Sequence, residues 1–172
     1  HYTLTIPSLH KHATLTARIQ NHRVPPKTIE ILTSTGSPAL THHVLRRIAQ
    51  SEAEATRDEA AITPRNYTFT LEGMETLEGR HCYIQSQPQI KKEFLFRGKI
   101  WVDAEDFTIA RIQGTPARNP SIWIRHTEFT QTFQRIGNHW LAHRNVAYTD
   151  ARFVGATTLT IESTDYQLPP EP

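Results

Sequence analysis

The sequence predicts a mostly β fold with one helix: an antiparallel meander whose twist curls it into a partial or complete barrel, with the helix on the concave side. Three features carry this expectation. Apolar and polar residues alternate along most of the chain, the period of a half-buried strand. The alternating stretches are separated by short spacers, which favour sequential antiparallel pairing. Only "GSPALTHHVLRRIAQSEAEA" carries the period of a helix, and accumulated twist keeps a long meander from staying flat.

The elements follow in order. "HATLTARI" sets Ala13, Leu15, Ala17 and Ile19 on one face against Thr14, Thr16 and Arg18, and "KTIEILTS" repeats the pattern through Ile29 and Ile31. In the helical segment Leu40, Val44, Leu45 and Ile48 share a face, Ser37 is placed to cap the first turn, and Pro38 sits where a helix tolerates proline. Its polar end, "EAEATRDEA", either continues the helix or frays before Pro64. "NYTFTL" reads as a strand through Tyr67, Phe69 and Leu71, and "GRHCYIQS" follows the turn signal Glu78-Gly79. "FLFRGKIWVDAEDFTIARIQG" reads as a hairpin about Asp103 to Asp106. After it come "SIWIRHTEFTQTFQRI", a turn at Gly137-Asn138, "HWLAHRNVAYTD" and "GATTLTIESTDY", for an expected total of about ten strands. Residues 1–166 are expected to form one domain and the tail "QLPPEP", residues 167–172, to be disordered.

Composition narrows the class. A chain of 172 residues suits one core, and 37% hydrophobic with 9% aromatic residues describes a folded globular chain. No apolar run approaches the roughly 20 residues that cross a bilayer, so no transmembrane segment is expected, and "HYTLTIPSLH" lacks the basic and apolar regions of a signal peptide. Net charge is +2, with 19 basic residues interleaved among 17 acidic ones, which is no nucleic-acid footprint. The doublets Arg46-Arg47 and Lys91-Lys92 read as solvated faces. The single cysteine, Cys82, excludes an internal disulfide, reads as a small apolar residue, and leaves the compartment open.

Motifs for catalysis are missing. Of the ten histidines, His139 and His143 would lie about 13 Å apart on a strand. The pairs His10/His12 and His42/His43 bring no third ligand, so no metal or other cofactor is expected. Asp103, Glu105 and Asp106 lack calcium-loop spacing and read as a hairpin turn. There is no nucleophile elbow, phosphate loop or dinucleotide fingerprint, and "STGSPA" reads as a turn and cap. A hydrolase or metal enzyme built on the histidines is therefore the weakest reading.

What the sequence has in excess is apolar surface. Ile100-Trp101-Val102, Ile122-Trp123-Ile124 and Trp140-Leu141 are unbroken apolar runs, and they hold all three tryptophans. Neighbours on a strand point to opposite faces, so half of these side chains must meet a second layer, a partner or a ligand. A lipophilic groove answers that need. Ile100, Val102, Phe107 and Ile109 are expected to look inward, although a shift of one residue would reverse every side chain. Trp123, Trp140 and, from the helix, Leu45 and Ile48 complete the expected lining.

The strings "GKIWVDAEDFTIARIQG" and "GNHWLAHRNVAYTDARFVGATTLTIESTDY" resemble the bacterial outer-membrane lipoprotein-sorting protein superfamily, which includes the carrier LolA, its receptor LolB and RseB-type sensor domains. The resemblance covers roughly residues 66–166. It implies an α+β, mostly β fold: a curved antiparallel β-meander forming an unclosed half-barrel, with a helix of about residues 38–55 covering the concave face. It also implies a periplasmic, non-enzymatic carrier that holds lipid, or the acyl chains of a lipidated protein, in a hydrophobic cavity. The alternative it carries is a sensor or interaction module for a protein partner in the periplasm. Ala142 stands where many members have proline. The N-terminal helix of the carriers is lacking, so a mature form shortened at its N-terminus is expected.

Overall fold

The computed structural model describes residues 1–20, 27–54, 61–77, 80–86, 95–119 and 121–168. Its strands are β1 (Tyr2–Ile6), β2 (Lys11–Gln20), β3 (Thr28–Gly36), β4 (Thr70–Leu77), β5 (Arg80–Ser86), β6 (Phe96–Asp103), β7 (Ile109–Pro116), β8 (Ile124–Ile136), β9 (His139–Ala151) and β10 (Gly155–Glu162). They form one ten-stranded sheet in the order β3-β2-β1-β10-β9-β8-β7-β6-β5-β4. Every pairing is antiparallel.

The fold is mostly β, with an open sheet not closed into a barrel. Its two edges, β3 and β4, are successive in the chain, and the connection between them carries the longest helix of the described residues across one face. The two runs of the meander meet where β1 pairs with β10, Tyr2 opposite Ile161 and Leu4 opposite Leu159. Strand β1 adds to the expected strands: "YTLTI" alternates cleanly, and its Tyr2, Leu4 and Ile6 are all buried. Register shifts within β2–β3, β4–β5, β6–β7 and β8–β9 bend the sheet, as an extra residue on one strand of a pair does.

Two corrections concern the strands. Tyr67 and Phe69 precede β4 and do not belong to it. Asn66 and Tyr67 donate backbone hydrogen bonds to Thr63 O at 3.0 and 2.9 Å, and the Asn66 side chain donates to Ala61 O. That turn lifts the segment off the sheet and lays Tyr67 onto β6, where its ring meets Phe96 at 5.5 Å. Ile122 and Trp123 likewise precede β8, in a turn closed by Ile124 N donating to Ser121 O.

The helix spans Pro38–Leu40, a π-helical stretch Thr41–Leu45, and Arg46–Glu54. Ser37 occupies the N-cap position without a side-chain cap bond. Its carbonyl instead accepts from Thr41 N and Thr41 Oγ1, and that hydroxyl also reaches Pro38 O at 3.0 Å. A hydroxyl bonded back onto the preceding turn competes with the regular ladder, and the π stretch begins at this residue. Whether the helix runs on through 55–60, the Glu78-Gly79 turn, and the tail from residue 169 all lie outside the described residues. Among the described residues no helix is long and apolar enough to cross a membrane.

Packing divides into two clusters on the same face. The helix sets Leu45 and Ala49 against Tyr2, Leu4, Ala13 and Leu15. At the other end of the sheet Tyr67, Leu95, Phe96, Ile100, Ile112 and Ala117 form a second core. Phe96 on β6 and Phe129 on β8 meet edge to face at 5.5 Å, although two strand spacings separate their backbones by about 9.5 Å. They close over Gly114, which lies between them opposite Phe129 and Gly98. A Cβ on Gly98 would stand 2.1 Å from Gln113 O, and one on Gly114 2.3 Å from Arg97 O, so this glycine pair leaves no room for side chains.

The fold makes two checkable statements. Leu45→Ala, at a fully buried site, should cost about 2–5 kcal/mol in denaturant unfolding. Gly114→Val should destabilise more than Gly73→Val, because a Cβ at Gly73 meets nothing within 4 Å; equal unfolding midpoints would contradict the backbone approach described.

Candidate functional site

One lateral row of residues defines the site. From β2 to β6 the register places Leu15, Tyr2, Ile161, Asn145, Gln131, Ile112 and Ile100 side by side on the helix-bearing face. Both ends of the row are apolar and covered by the two cores. The middle is an amide pair, Asn145 Nδ2 donating to Gln131 Oε1 at 3.0 Å. None of the residues of β8, β9 or β10 is buried, so the centre of this face is an open trough between two filled flanks.

The trough has a cleft of about 490 Å³ lined by Ile48, Glu52, Gln131, Ala142, Asn145, Ile161 and Ser163, within the roughly 300–1,000 Å³ of small-molecule sites. Ile48, Ala142 and Ile161 supply apolar wall, and the other four supply polar groups. Glu52 is fixed by the Tyr2 hydroxyl, which donates to it at 2.8 Å. Burial first, then the Glu52 carboxylate, push the Tyr2 phenol far above its usual range, so it stays a donor. Ser163 is held by its backbone N–H donating to His143 O and its carbonyl accepting from Gln134.

The expected lining residues scatter. Ile48 lines the cleft. Leu45 and Ile100 face the same side, but they are fully packed inside the first and second cores. Val102 and Ile109 pair with each other and pack against the second core. Phe107 and Trp123 do not line a cavity. Phe107 stands at φ 55°, a backbone conformation rare for bulky side chains, and is 73% exposed. Trp123, 53% exposed, lies against Phe153 with ring centroids 5.1 Å apart.

Trp140 reaches across the end of the sheet to the β6–β7 turn, its indole donating to Asp106 Oδ2 at 3.0 Å. The turn is built by Asp103, which is fully buried and accepts from Glu105 N and Asp106 N. Trp101, between Ile100 and Val102, points to the opposite face and is closed over by Arg111, whose guanidinium lies 5.3 Å from the ring centre. An arginine thus supplies the second layer that the apolar trio required. Sequence reasoning missed Glu52, Gln131, Asn145, Ile161 and Ser163. For Gln131, Asn145 and Ile161 the signal is register, since Asn145 and Gln131 interrupt an apolar row that exists only once the strands are paired.

Among the described residues no group of three or more His, Cys, Asp or Glu is placed to hold a metal ion. No protein-family description, curated protein or solved structure matches the chain.

Hydrogen bonds from Thr108 first, and with them the Trp140 indole, hold the Asp106 carboxyl below its ordinary value. A carboxyl lowered in the folded state adds stability above its unfolded value, and that stability is lost as pH falls through the lowered one. Trp140→Phe should therefore move the Asp106 titration upward in carboxyl carbon NMR. An unmoved titration would show that the indole is not bonded there.

Proposed function

We propose that this protein is a non-enzymatic carrier that binds a lipid, or the acyl chain of a lipidated protein, along the trough between its two cores. The observation that carries the reading is the row Ile161-Asn145-Gln131-Ile112, apolar at both ends, polar in the middle and open above. A ligand matching it is amphipathic: its chain lies on Ile48, Ala142 and Ile161, and its ester, amide or hydroxyl groups meet Asn145, Gln131 and Ser163. Resemblance to the lipoprotein-sorting proteins supports the same class and a periplasmic setting.

Magnitudes favour reversible binding. A chain in an open trough buries about half its surface, so each methylene contributes about 0.4 kcal/mol, half the fully buried value. Roughly sixteen carbons then contribute about 6 kcal/mol, comparable with the 4–15 kcal/mol cost of association. Alkyl contact alone gives weak retention, and the polar middle of the row must supply the rest. That balance suits carriage and release.

A second reading, an interaction or sensor module, is favoured by edge strand β3, most of whose residues are exposed. Unpaired edge groups are a template for a partner strand.

Native mass spectrometry of protein from a bacterial host, with uptake of a fluorescent fatty acid, tests the carrier reading. Bound lipid and saturable uptake are expected, and Ile161→Glu should reduce uptake tenfold or more. Repeated isolation without lipid, no uptake, and a partner that stays bound after delipidation would replace it with the second reading.

A further inference from the structure

The end of the sheet where the helix begins carries the largest exposed apolar side chains of three adjacent loops. Leu9 follows β1, Phe153 sits in the β9–β10 turn, and Ile122 and Trp123 precede β8; they are 44%, 78%, 76% and 53% exposed. The loops are tied together. Arg152 N donates to Trp123 O at 2.8 Å, the Trp123 and Phe153 rings meet at a tilt of 51° with centroids 5.1 Å apart, and Ser8 Oγ donates to Val154 O. The cluster is thus a built tip and not four independent side chains.

Charge around the tip is one-sided. Segments 7–12, 118–126 and 150–156 hold Lys11, Arg118, Arg125 and Arg152 against a single acid, Asp150, while the whole chain balances 19 basic against 17 acidic residues. Three histidines, His10, His12 and His126, lie in the same segments. Asp150 is paired with Arg125 at 3.4 Å and His126 contacts Glu128 at 3.0 Å, which leaves Lys11 and Arg152 as the positive charge beside the apolar residues.

We propose that this tip docks onto an anionic bilayer surface, with Trp123, Phe153, Ile122 and Leu9 entering the interfacial layer and the cations meeting lipid phosphates. Aromatic and aliphatic side chains beside Lys and Arg are the composition of an interfacial anchor. The charge complement selects an anionic membrane over a neutral one, and each cation near such a surface raises partitioning about fivefold. The proposal is independent of what the trough holds, because none of the four apolar residues lines it.

The test uses the full chain and large unilamellar vesicles of equal parts phosphatidylglycerol and phosphatidylcholine, with pure phosphatidylcholine as comparison. Expected are co-sedimentation with the anionic vesicles, a blue shift of tryptophan emission, and its quenching by brominated acyl chains. Trp123→Ser with Phe153→Ser should weaken partitioning at least tenfold without changing the thermal melt or fatty-acid uptake. Lys11→Gln with Arg152→Gln should weaken it about 25-fold at low salt. Absence of sedimentation overturns the proposal. So does binding that is indifferent to Trp123→Ser with Phe153→Ser, which would be electrostatic adsorption only, and so does a protein partner that needs these residues while vesicles are ignored.

Discussion

Pairing between β1 and β10 is the contact on which the rest of the molecule depends. It joins the three strands beneath the helix to the seven that follow, with Tyr2 beside Ile161 and Leu4 beside Leu159. Without it the helix would cover a three-stranded sheet whose inner edge was open. With it, the apolar face of β1 and β2 continues into β10 and the lateral row reaches the second core. The tie is also long-range, since it brings the two ends of the described chain together, and such contacts cost loop-closure entropy before they return any burial.

Apart from Trp101 beneath Arg111, the outer face contributes little to cohesion. Among the described residues its ion pairs include Arg18–Glu30, Lys99–Glu72, Arg125–Asp150 and Arg144–Glu162, all solvent-exposed, and exposed pairs are typically worth about 0–1 kcal/mol each. Stability therefore resides in the two inner clusters and the ladder hydrogen bonds. The span of the inner face that is left open is the span carrying polar side chains.

Much of the architecture was legible in the sequence because alternation is a local signal. Ala13, Leu15 and Ala17 declare their face without reference to any other strand, and Leu40, Val44, Leu45 and Ile48 declare a helix. That Ile100 and Trp101 face opposite sides followed from the same period; which of them faces the helix did not, and the paired register decides it. What could not be read was which apolar residues would be consumed by packing. Leu45 and Ile100 look like groove residues only until their neighbours are known, and Phe107 was misplaced because a left-handed turn residue obeys no alternation. Tyr67 and Phe69 alternate as a strand does, yet Asn66 and Thr63 form a turn that lifts them onto the sheet. The trough residues Asn145 and Gln131 are unremarkable in sequence, since their meaning lies in being opposite each other.

The long β8–β9 hairpin, which runs through the middle with no buried residue, has a mechanical consequence. Two tightly filled blocks stand on either side of a span held by backbone ladders and a few side-chain contacts, Phe129 and Phe133 toward the second core and Asn145 to Gln131, like the boards of a book on its spine. Regions with few buried apolar contacts open at lower free energy than packed ones. Deformation is therefore expected to concentrate in the spine. For the carrier role proposed above, one interior would then take chains of different girth while each block keeps its own shape.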